Sequence, residues 1–115
     1  MPNDDTILDE AKQLVYGDRE TRYGHPFQDF SRTAAMWSAL FGRTFSPEDV
    51  ALAMCCVKLS RESNRPNRDN RVDLAGYAAA LDRVVEVREE TEARMAEGYR
   101  ASADQDLETA KQWGG

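Results

Sequence analysis

The run Ser46-Pro47-Glu48-Asp49-Val50-Ala51-Leu52-Ala53-Met54-Cys55-Cys56-Val57-Lys58-Leu59-Ser60-Arg61 decides the fold class. A serine accepts from the free amides at a helix start, a proline suits the first helical position, and acids favour the positive end. Val50, Ala53, Met54 and Val57 then recur at helical spacing and predict one buried face, in a helix running to about Ser63. Asn64-Arg65-Pro66-Asn67-Arg68 is turn chemistry. The next helix is predicted from Asp69 or Asn70 to about Gly98, with Asp69, Asp73, Gly76, Ala80, Val84 and Val87 on one face.

Upstream, Phe27, Phe30, Ala34, Trp37 and Phe41 form the stripe of a helix opened by Pro26 and ended by Gly42. A first helix is predicted from an N-cap at Thr6 to Tyr16, with Ile7, Leu8, Ala11, Leu14 and Val15 on its apolar side. Gly17 is read as its stop, followed by a polar loop from Asp18 to Pro26. Ser102, with Gln105 three residues on, is read as the cap of a short last helix reaching Trp113, and Gly114-Gly115 as a loose end. Alternating β-branched segments are absent. The expected fold is all-α: an antiparallel bundle of four main helices plus a short C-terminal helix. Residues 1–98 are read as one domain and 99–115 as an extension.

Among the 115 residues, 41% are hydrophobic and 31% charged, the profile of a globular chain rather than a disordered one. With 21 acids against 15 lysines and arginines, the net charge of −6 lacks the footprint of a protein that binds long nucleic acid. No apolar run approaches the roughly 18–20 residues that span a bilayer, so no membrane partner is expected. Met1-Pro2-Asn3-Asp4-Asp5 has neither the basic nor the apolar part of a secretion leader. Cys55 and Cys56 are adjacent and are read as two small buried, reduced thiols. Together these predict a cytoplasmic protein. With His25 the single histidine, the chain lacks a zinc ligand set.

The chemistry concentrates at the turn between the two central helices. Arg61 continues the apolar stripe of the first, and Lys58 flanks it. Asp69 and Asp73, one turn apart, begin the stripe of the second. A short connection makes such helices antiparallel, so these groups should meet. Arg65, Arg68 and Arg71 flank them, and Asn70 lies among them at the start of the second helix. A phosphate would find these cations together with the free amides of a helix start. Asp69 and Asp73 could share one Mg²⁺ with water and phosphate, which would make them the catalytic carboxylates of a phosphoryl site. The competing reading is an ion-pair cluster that only closes the hairpin.

A second polar constellation is Tyr16-Gly17-Asp18-Arg19-Glu20-Thr21-Arg22-Tyr23-Gly24-His25-Pro26. Tyr23 and His25 could stack on a base and Arg22 could hold a phosphate; alternatively the segment simply caps the bundle end. Asp29 is read as lateral and exposed, and Trp37 as core packing. The charged run from Glu86 to Glu97 is read as a solvated face.

Tyr16-Gly17-Asp18-Arg19, Tyr23-Gly24-His25-Pro26, Ala35-Met36-Trp37, Pro47-Glu48-Asp49-Val50-Ala51, Lys58-Leu59-Ser60-Arg61 and Val72-Asp73-Leu74-Ala75-Gly76-Tyr77-Ala78 resemble a small domain family of uncharacterised function. That family is frequent in phages and prophages, and the resemblance covers about residues 6–85. It implies a phage-encoded protein acting in the host cytoplasm. More distantly, facing polar helices in an all-α domain resemble the MazG-like nucleoside triphosphate pyrophosphohydrolases. Those hold Mg²⁺ on Glu-x-x-Glu and Glu-x-x-Asp motifs and act as oligomers, whereas this chain offers Gln28 and Asp29 on the corresponding helix.

Three functions follow as expectations. The first is a Mg²⁺-dependent nucleotide pyrophosphohydrolase. The second is a non-catalytic protein that sequesters nucleotide second messengers of host defence. The third is a structural or interaction module. The ligand is expected to be a nucleotide or other phosphorylated small molecule, and the wide apolar coverage of the fourth helix predicts a homo-oligomer, a dimer at least.

Overall fold

Capping chemistry sets most of the helix boundaries in the computed structural model, which describes residues 4–113. Met1-Pro2-Asn3 of the N-terminal reading and the Gly114-Gly115 end lie outside the described residues. Among those described, every regular element is helical, as the sequence predicts. Helix α1 spans Ile7–Gln13 and opens with Thr6 and Asp9 capping each other reciprocally. A π turn at Leu14–Asp18 carries the chain without a break into α2, Arg19–Tyr23. The expected stop at Gly17 and the loop after it are therefore corrected. Glycine permits a positive φ but does not impose one, and among the described residues only Gly24 (φ 81) and Gly42 (φ 69) have it.

Helix α3 spans Pro26–Phe41 and ends at Gly42, as predicted. Ser38 on its last turn accepts from the Phe45 amide at 2.9 Å and so ties down the following loop. Helix α4 spans Pro47–Asn64 and opens with the Ser46–Asp49 capping box. Helix α5 spans Arg68–Trp113. It does not end at Gly98 or restart at Ser102, which corrects the separate last helix. A glycine inside a helix costs only about 1 kcal/mol relative to alanine, and no proline follows Pro66 to enforce a break.

The chain divides after Val85 into two compact units. In the first, Val15, Phe30, Ala34, Val50, Ala51, Tyr77, Ala80 and Val84 make one core. Ala51 is fully buried, so α4 turns Val50, Ala51, Met54 and Cys55 inward, while Ala53 and Val57 stay partly exposed. The inward face is thus rotated from the predicted one. Leu8 and Phe41, placed on core stripes by the sequence, are largely exposed. Both thiols are free. Burial pushes the Cys55 thiol up, but Cys56 is exposed, contrary to the buried pair expected. In the second unit, from Glu86 to Trp113, nearly every residue is exposed and Arg94 pairs with Glu90 one turn away, as the solvated-face reading predicts.

Two outcomes follow from this packing. Ala51→Leu forces an isobutyl group into a filled core and is expected to lower unfolding free energy by about 1–3 kcal/mol in urea titration. Glu62 is held below the usual glutamate range by the Asn67 amide and Arg71, and Glu20 by Arg83. Such depressed carboxylates stabilise the fold above their unfolded pKa and lose that contribution as pH falls through the folded one. The melting temperature should stay level above the ordinary glutamate value of 4.5 and drop on acidification below it.

Candidate functional site

The π turn sets what α1 and α2 present to the rest of the first unit. In an unbroken α-helix, Arg19 and Tyr23 would stand about 140° and 180° round from Leu14. A π turn absorbs one extra residue, roughly a 100° correction, which brings Arg19, Arg22 and Tyr23 to the Leu14 side. Here the Arg19 amide reaches back to the Leu14 carbonyl. Arg83 on α5 braces the turn: its Nη1 donates to the Val15 carbonyl and its Nη2 to Glu20, both at 3.1 Å. Its guanidinium also lies 4.5 Å from the centre of the Tyr16 ring.

Leu14, Asp18, Arg19, Arg22 and Tyr23 form one wall of a cavity of about 490 Å³. The facing walls come from α3 (Asp29, Phe30, Thr33, Trp37), α4 (Val50, Met54) and α5 (Asp73, Tyr77). Arg19 donates to the Tyr77 hydroxyl at 3.1 Å and stacks 4.8 Å above its ring. Burial works against the Arg19 charge, but the Tyr77 hydroxyl and the Asp73 carboxylate outweigh it and hold the guanidinium above its ordinary pKa. Arg22 pairs with Asp18 at 3.2 Å in an exposed position. The cavity thus sets aromatic rings beside two guanidiniums and three carboxylates.

Of the four charges expected to meet across the α4–α5 turn, Lys58 and Asp73 pair, whereas Arg61 and Asp69 are exposed. Lys58, 12% exposed, pairs with Asp73 at 3.0 Å. Arg61 is exposed, because the inward face of α4 passes through Ala51 and Lys58 instead of Val57 and Arg61. The remaining cations do not converge. Arg68 turns to Glu10 and to the Asp5 carbonyl, and Arg71 pairs with Glu62. Arg65 is exposed, and its carbonyl accepts from Asn70 at 3.5 Å. Asp69 is exposed, and its amide is capped by the Asn67 side chain.

In the second constellation, Tyr23 and Arg22 line the cavity. His25 instead caps α3, its Nδ1 accepting from the Phe27 amide at 3.0 Å. Asp29 and Trp37, read as lateral and as packing, both reach the cavity, and Trp37 also packs edge-on against Phe45. Sequence reasoning quoted Arg19 and Tyr77 within motifs without giving either a site role of its own, and missed Arg83 altogether. The available signal was an arginine in the run Tyr77-Ala-Ala-Ala-Leu-Asp-Arg-Val-Val85, which is apolar apart from Asp82 and Arg83. An arginine among such residues requires a partner.

A neighbouring cavity of about 370 Å³ shares Leu14, Asp18 and Asp73 with the first and adds Glu10, Gln13, Asp69 and Val72. Asp69 and Asp73, the expected Mg²⁺ ligands, both border it. Among the described residues, however, no three acidic, histidine or cysteine side chains stand close enough to share an ion. Nor is any helix among the described residues long and apolar enough to cross a membrane.

Comparison with known proteins places this unit. The chain is 33% identical over 111 residues to the Gene 55 protein of Mycobacterium phage D29, covering 96% of this chain and 73% of that protein. It is 37% identical over 81 residues to the Gene 55 protein of Mycobacterium phage L5, covering 69% of this chain and about half (52%) of that protein. No solved structure matches. The domain of unknown function DUF6378 matches residues 6–85, which hold both cavities and the braced π turn, and the chain belongs to that family.

Proposed function

We propose that this protein binds a nucleotide in the cavity beside the π turn and does so without hydrolysing it. The observation that carries the reading is the division of the cavity wall. Its volume of about 490 Å³ suits a small organic ligand rather than an inorganic ion. Trp37, Tyr23 and Phe30 offer faces for a flat heterocycle, and Asp29 an acceptor for its N–H groups. Arg19 and Arg22 each use one donor within the fold, at Tyr77 and Asp18, and a guanidinium carries five. The free donors suit phosphate oxygens.

On this reading the anion-binding cations are those of α2, which share one cavity, and not those of the α4–α5 turn, where Lys58, Arg68 and Arg71 turn to three different carboxylates. The MazG-like reading requires carboxylates gathered on Mg²⁺. The lack of such a cluster among the described residues supports sequestration over turnover. The acid-lined neighbouring cavity is what favours hydrolysis as the second reading.

Calorimetry against mononucleotides and cyclic di- and trinucleotides, with and without Mg²⁺, tests both readings. Saturable binding with no pyrophosphate or phosphate release is expected. Silence across the whole panel from folded protein overturns the proposal, and Mg²⁺-dependent release favours the hydrolase. For the nucleotide that binds, Trp37→Ala and Arg22→Ala should each weaken affinity about ten-fold or more, from a lost stacking face and a lost charged hydrogen bond. Arg61→Ala, exposed and outside the cavity, should leave it unchanged.

A further inference from the structure

Arg83 does not line the cavity, yet among the described residues it is the one charged side chain in the core: 8% of its surface is exposed. Charge that deep requires a specific task, since an unpaired guanidinium there is costly. Its head group contacts the π turn and the residue two past its end: the Val15 carbonyl, the Tyr16 ring and Glu20. A π turn displaces the amide ladder by one residue, so its carbonyls lose their usual donors. Val15 is 2% exposed, so water cannot serve its carbonyl; Arg83 does.

We propose that Arg83 is a positioning residue. It holds one surplus residue in the first helix and thereby sets which side chains face the cavity. Without that surplus residue looped out, Leu14 and Asp18 would keep their face while Arg19 and Tyr23 turned away from it. Gly17 is the natural residue to remove: it lies inside the turn, exposed, and a Cβ there would meet nothing within 4 Å. Deleting it closes the π turn into an ordinary α-helix while leaving Arg19, Arg22 and Tyr23 on the Leu14 side. The inference concerns the shape of the cavity and stands whether or not its ligand is a nucleotide.

The test uses the full chain with Trp113→Phe, which leaves Trp37 on the cavity wall as the single tryptophan. Arg83→Met, the Gly17 deletion and their combination are compared by acrylamide quenching of Trp37 and by hydrogen exchange across residues 14–23. Arg83→Met is expected to speed exchange in that segment about ten-fold or more and to change Trp37 quenching. The Gly17 deletion alone should fold and quench like the parent, and the combination should return to parent values. That rescue is what a general stabilising role cannot produce. Parent-like behaviour of Arg83→Met overturns the proposal, as does a deletion chain that fails to fold. A combination as perturbed as Arg83→Met alone also overturns it. If Arg83→Met itself does not fold, a folded combination supports the proposal and an unfolded one overturns it.

Discussion

A guanidinium placed in an apolar core is the constraint on which the first unit depends. Arg83 is stable there only because a backbone carbonyl, a carboxylate and an aromatic face surround it, each 63 to 68 residues away along the chain. In return it determines the path of the first helix. While the turn is in place, Arg83 cannot leave without stranding a buried carbonyl. The polar interior and the irregular backbone are thus solutions to each other's cost.

The same pairing explains how an acidic chain keeps two cations beside a cavity. Arg19 and Arg22 lie on the same stretch of helix as Asp18 and Glu20, but these carboxylates do not simply cancel them. Glu20 is taken by Arg83 and Asp18 pairs with Arg22 near solvent, while Arg19 leans on the neutral Tyr77 hydroxyl and keeps most of its donors. Lys58 neutralises Asp73 from the far side. The local field around the cavity is set by who pairs with whom, and the net charge of −6 says little about it.

Much of the helical frame was legible because its signals are local. Thr6, Ser46, Pro26, Pro47 and Gly42 act within a turn of themselves, and all five behave as their chemistry requires. The phase of a buried stripe was less legible. On α4, choosing between Lys58 and Arg61 turned on whether Ala51 or Val57 faced inward, and hydrophobicity ranks those in the wrong order for a site where a neighbouring helix demands a small residue. The candidate site was half visible. Tyr23 and Arg22 were found through the density of polar groups around them, and Asp29 and Trp37 were noticed but given bland roles. The π turn was invisible, because nothing between Leu14 and Asp18 encodes it. Its cause lies in Arg83, far along the sequence, and Gly17 reads locally as a stop.

That separation along the chain has a consequence for the order of assembly. The ion pair of Lys58 with Asp73 closes a loop of fifteen residues, whereas the contacts of Arg83 with Val15 and Glu20 close loops of 68 and 63. Loop closure costs entropy that grows with length, and distant contacts form slowly. The α4–α5 hairpin therefore zips first, and the first helix docks late onto a scaffold already built. What docks last also frays first, so the cavity wall carried by Arg19, Arg22 and Tyr23 belongs to the least persistent part of the unit, and a ligand seated against it would act as a staple for the amino-terminal helix.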